Sequence, residues 1–181
     1  MKSGTVALLS FALAAAACGD PGPDRIQQVQ ELADSADQML ITMRTSLTNL
    51  GVRQADLRAD TAFLYENSGR ADLKKITIHF FNPTGTETSV LTADTGTYFI
   101  RTGQMEARGN VFVRRSDGAT LTTSVLKYDQ ALNQVSTDQA YTFVEGARQA
   151  QGQGFVSDPS FSNIRTQRLR GTGGGFTLPG Q

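Results

Sequence analysis

The chain has 181 residues, with 17 Lys and Arg balanced by 17 Asp and Glu, and only one histidine and one cysteine. Balanced charge without a basic run disfavours a nucleic-acid partner, since phosphate binding needs clustered positive charge. One Cys and one His cannot furnish a structural zinc site, and neither a metal nor another cofactor is expected.

In chain order, the first feature is an export signal over residues 1–17. Lys2 supplies a positive charge, residues 6–14 form a short apolar run, and the alanines at 14–17 provide a small-residue cleavage site. The run falls short of the roughly 20 apolar residues of a membrane-spanning helix. Cys18 follows directly, and a lone thiol in an exported chain cannot form an internal disulfide. Ala15-Ala16-Ala17-Cys18 resembles a lipobox, with Ala15 where leucine is usual, so Cys18 is expected to carry the lipid that anchors the chain to a membrane. An ordinary signal cleaved nearby would instead leave a free thiol. Residues 18–23, rich in Gly and Pro, read as the lipidated tether.

Asp24 then reads as a helix cap. Ile26, Val29, Leu32, Ala33, Ala36, Met39, Leu40, Met43 and Leu47 recur at helical spacing, which predicts one amphipathic spacer helix over 24–48. Its polar face is acidic, unlike that of a helix lying on a lipid surface.

After Gly51 the pattern changes to a period of two. Ala55, Leu57, Ala59, Thr61 and Phe63 alternate with Gln54, Asp56, Arg58 and Asp60, and 75–80, 105–108 and 111–114 alternate likewise. This predicts half-buried antiparallel strands. Turn residues punctuate them at 67–69, 82–85, 102–103, 116–118 and 132–133, which implies long strands joined by hairpins. Gly96 and Gly109 fall inside strand patterns and suggest bulges. Residues 91–113 overlie 121–143 at a constant offset of 30, and Leu57-Arg58-Ala59-Asp60-Thr61 echoes Leu91-Thr92-Ala93-Asp94-Thr95. A two-strand unit stacked several times into an elongated sheet follows. The glycine-rich segment 171–181 is expected to be a disordered tail.

Catalytic chemistry is not expected. His79 lies opposite Ile76, Ile78 and Phe80, no serine occupies a nucleophile elbow, and the glycine runs lack the context of a phosphate loop. Asp60, Asp94, Asp117, Asp129, Asp138 and Asp158 recur near turns, as turn chemistry and edge protection require.

Ala93-Asp94, Met105-Glu106-Ala107-Arg108-Gly109-Asn110-Val111, Leu121-Thr122-Thr123, Val135-Ser136-Thr137-Asp138 and Gly154-Phe155 follow one another in an order that resembles the periplasmic lipopolysaccharide-export proteins, the OstA-like group containing LptC and LptA. The resemblance covers about 51–170 and implies an all-β fold, an elongated V-shaped antiparallel β-jellyroll, here preceded by the helix. It implies lipopolysaccharide as ligand, with acyl chains held in an apolar groove. It also implies an inner-membrane ABC transporter and a periplasmic LptA-like bridge protein as partners through edge-strand pairing, with edges near Val52 and Ile164. The membrane is the further partner, through acylated Cys18. The side chains expected to line the groove are Phe63, Ile76, Ile78, Phe80, Leu91, Met105, Val111, Val113, Leu121, Val135, Tyr141, Phe143 and Phe155. Their pattern is the same whether they line an open groove or fill a core. An anchor followed by one domain favours the LptC role at the inner membrane, with a lipid in place of the transmembrane helix. The competing expectation is an envelope scaffold lipoprotein with a filled core.

Overall fold

The computed structural model describes residues 36–170. The signal, Cys18, the tether and the tail lie outside the described residues, as does the first part of the expected helix. Nine antiparallel strands form one sheet in simple chain order. They are β1 (Gln38–Asn49), β2 (Val52–Tyr65), β3 (Arg70–Phe81), β4 (Glu87–Phe99), β5 (Gln104–Arg115), β6 (Thr120–Asp129), β7 (Gln134–Glu145), β8 (Arg148–Ser157) and β9 (Arg165–Arg170).

The second half of the expected helix is a strand. Residues 38–49 pair with β2 from Gln38↔Leu64 to Asn49↔Val52, so the sheet begins well ahead of residue 51 and its first edge is β1, not the segment at Val52. The helical reading failed because Met39, Met43 and Leu47 of that stripe also fit a period of two, in which Met43, Thr45 and Leu47 turn inward. The β-branched Ile41, Thr42, Thr45 and Thr48 suit the extended form.

Most of the long strands change their inward face near the middle. On β2 the inward series Ala55, Leu57 and Ala59 resumes at Ala62. On β3, Ala71 and Leu73 give way to Ile76, Ile78 and Phe80. On β8, Gly152 is followed by Phe155. An odd step of three where two is regular reverses which side of the strand faces the core. Residues with positive φ mark the same line on β1 (Thr42, 58°), β3 (Lys75, 47°), β5 (Gly109, 74°; Asn110, 45°) and β8 (Gly154, 72°). On β5 and β7 the step is four, from Ala107 to Val111 and from Thr137 to Tyr141, and the register shifts at both places. These bulges are 30 residues apart, as are the ends of the two strands, so the sequence repeat is a structural one.

The bulge expected at Gly109 is present, and Asp94 serves it. Asn110 Nδ2 donates to Asp94 Oδ2 at 2.7 Å, and a Cβ at Gly109 would lie 2.8 Å from the same oxygen. Gly96 is not a bulge: it pairs regularly with Leu73 and Ala107. Glycine stands there because a Cβ would meet Ile76 Cδ1 at 2.9 Å and the Glu106 carbonyl oxygen at 3.2 Å. Gly96→Ala is therefore expected to cost about 1–3 kcal/mol by overpacking, read from the urea midpoint.

The bend brings the two arms of the sheet together. Phe80 on β3 meets Tyr128 on β6 edge to face, with centroids 5.2 Å apart. The Tyr128 hydroxyl donates to Gln54 Oε1 on β2 at 3.1 Å, and Gln130 Nε2 donates to the Thr48 carbonyl at 2.6 Å. One apolar cluster fills the space between the arms.

Candidate lipid-binding interior

All of the side chains expected to line the groove are buried. Ile76, Ile78, Phe80, Leu91, Met105, Val111, Val113, Leu121, Val135, Tyr141, Phe143 and Phe155 belong to one cluster on the inner face. Phe63 is buried but stands apart from that cluster. It pairs with Asp72 while its neighbours Ala62 and Leu64 pair with Leu73 and Ala71, so the step at Asp60 has put Phe63 on the opposite face. Continuous alternation through residue 60 was the false premise in its assignment.

Sequence reasoning passed over Leu47, Leu73, Tyr98, Leu126, Tyr128 and Phe161, which share the inner cluster. A step of three within the alternation is the signal that would have found Leu73 and Leu126. Nothing in the local pattern marks Phe161, which lies in the β8–β9 connection.

Polar groups border the apolar interior at two places. Burial pushes the Tyr128 phenol up to about 12, helped by the neighbouring Asp129 carboxylate and by Tyr98. In the β8–β9 connection, burial opposes the charge on Asp158, but hydrogen bonds from Ser160, the Asn163 main-chain N–H and Ser157 outweigh it and hold the carboxyl below the usual range. A depressed folded value means that Asp158 stabilises its turn fully above the ordinary 3.8 and ceases to do so as the pH falls through the folded value. Amide exchange over 158–164 is expected to speed up on acidification from pH 6 to pH 3 beyond its intrinsic dependence, and Asp158→Asn should abolish that extra sensitivity.

His79 is half-buried, with Nδ1 2.7 Å from Glu87 Oε2 across the β3–β4 hairpin, on the face away from the cluster. A cleft of about 700 Å³ crosses β5–β8 near the bend. Its walls mix Thr122, Thr142, Gln151 and Gln153 with the apolar Val111, Phe112, Ala140 and Tyr141, so Val111 and Tyr141 of the expected groove set reach it.

The open ends of the sheet are β1 and β9. Near the start of β1, Met39 and Ile41 are 53% and 65% exposed. β9 carries exposed Arg165 and Arg168, the kind of charge that guards an edge against indiscriminate pairing.

The sequence matches the LptC family, described as lipopolysaccharide-assembly, LptC-related, over residues 5–165. The chain belongs to this family. Among solved structures it is similar to LptH of Pseudomonas aeruginosa, described as the LptA-homologous periplasmic component of the conserved lipopolysaccharide transport device. That likeness has 15% identity and a TM-score of 0.48, and covers 63% of this chain and 82% of that one. No curated protein matches the chain. The LptC-related family is one of lipopolysaccharide assembly and not of enzymes.

Proposed function

We propose that this LptC-family chain is a lipid-anchored periplasmic component of the lipopolysaccharide export bridge, carrying acyl chains between the arms of its bent sheet. The observation that supports this most is the inner face itself. It gathers one apolar cluster from β1–β8 and both arms, and hydrocarbon tails need such a surface to escape water at about 25 cal/mol per Å². Cys18 would hold the chain at the inner membrane in place of a transmembrane helix. Pairing at β1 and β9 would join it to the transporter on one side and to an LptA-like bridge protein on the other, since among the described residues each end strand pairs on one side only.

A second reading, an envelope scaffold with no lipid ligand, is favoured by one observation: the proposed groove side chains other than Phe63 are buried together in one cluster. Native mass spectrometry of the purified mature chain with lipopolysaccharide, and with the same glycan stripped of its acyl chains, separates the two. Lipid transport predicts a complex with the first and none with the second. No complex with either leaves the scaffold reading standing. Photo-crosslinkers placed at Ile41 and Arg168 should capture different neighbours in cells, and silence at both edges would remove the bridge geometry.

A further inference from the structure

The β8–β9 connection brings an aromatic side chain to the interior from outside the strands. Between Ser157 and Asn163 it is polar apart from Pro159 and Phe161. Yet Phe161 is 1% exposed, with its ring 6.3 Å from that of Phe155, which in turn meets Tyr141 edge to face at 5.0 Å. Its backbone has φ of +54°, a left-handed conformation that a bulky residue adopts only under constraint. Two bonds impose the constraint, and both come from the other arm. Buried Ser89 on β4 donates its hydroxyl to the Pro159 carbonyl at 2.6 Å, and Arg115 at the end of β5 donates to the Phe161 carbonyl at 3.2 Å. The Phe161 N–H returns to the Asp158 carbonyl at 2.9 Å, so the connection is a compact turn able to move as a unit.

We propose that the Phe161 ring is a removable internal stand-in for an acyl chain, seated at the mouth through which the first lipid tail reaches Phe155 and Tyr141. This rests on the acyl-carrier reading above. A strained turn tied by two hydrogen bonds is easier to displace than any strand of the sheet. The apolar surface that the ring vacates is the surface a hydrocarbon chain would then cover. The ring keeps the interior dry when no lipid is bound, so loading exchanges one apolar occupant for another.

The test uses cis-parinaric acid, a fluorescent fatty acid, with the full chain, Phe161→Gly and the truncation Phe63→Ala. Phe161→Gly removes the ring and relieves the positive φ. It should raise apparent affinity and uptake rate by about tenfold, because more of the chain is then open to ligand. Phe63→Ala loosens buried packing outside the inner cluster and should not reproduce the gain. An equal gain from Phe63→Ala, or no gain from Phe161→Gly while the unaltered chain binds the probe, overturns the stand-in and leaves the acyl-carrier reading intact. Failure of all three proteins to bind the probe removes both.

Discussion

Phe80→Ala is expected to lower the unfolding free energy by about 3–5 kcal/mol, since truncating a fully buried aromatic loses its transfer energy and leaves a cavity. The cost should sit at the upper part of that range, because Phe80 joins the two arms. Its ring meets Tyr128 at an interplanar angle of 71°, and Tyr128 carries the hydrogen bond to Gln54. A urea titration checks the magnitude. A second reading comes from the phenol: with the cover removed, Tyr128 should titrate below its present value of about 12, towards the ordinary 10. Raised folded values favour the neutral form, so this group's contribution to stability is present below pH 10 and disappears as the pH rises through about 12. Phe112, on the outer face and 38% exposed, is the control, with Phe112→Ala expected to change stability by about 0.5 kcal/mol or less.

Gly152→Ala is expected to pull β9 away from the sheet. An added Cβ would lie 2.7 Å from the Tyr141 ring and hydroxyl, and 2.8 Å from the Arg168 carbonyl oxygen. A ring can tilt, but a main-chain oxygen held in a strand pair cannot move without carrying its strand, and Gly152 pairs directly with Leu169. The strain of about 1–3 kcal/mol should fall on β9, which has six residues and a single neighbour. Hydrogen exchange over 165–170 should then rise while the amides of β2–β6 stay protected. Unchanged protection of 165–170 would show that the ring absorbs the methyl group. If β9 forms the bridge contact, the variant should also lose its neighbour at Arg168 while keeping the one at Ile41.

Much of this chain was legible from local chemistry. The hairpin turns, the repeat of 30 residues and the bulge at Gly109 follow from residue types at fixed spacings, because a turn or a left-handed glycine is settled by a few neighbours. So does the inward face of each half-strand. Twelve of the side chains assigned to the interior lie in its single cluster. The exception, Phe63, and the missed Leu73 and Leu126 share one cause. Period-two reasoning assumes a straight strand, and these strands bend where a residue takes positive φ or an extra residue enters.

The order of the strand motifs and the family they point to were thus written in the sequence. The identity of residues 38–49 was not, since their apolar stripe fits a helix and a strand equally. Only pairing with β2, which supplies the backbone partners an extended chain requires, decides between them. Nor could the sequence place Phe161 among the core aromatics. Its burial depends on Ser89 and Arg115, 72 and 46 residues away, and on a bend that carries them across to meet it. Periodicity reports which side of a strand is apolar; what that side faces is decided where distant segments meet.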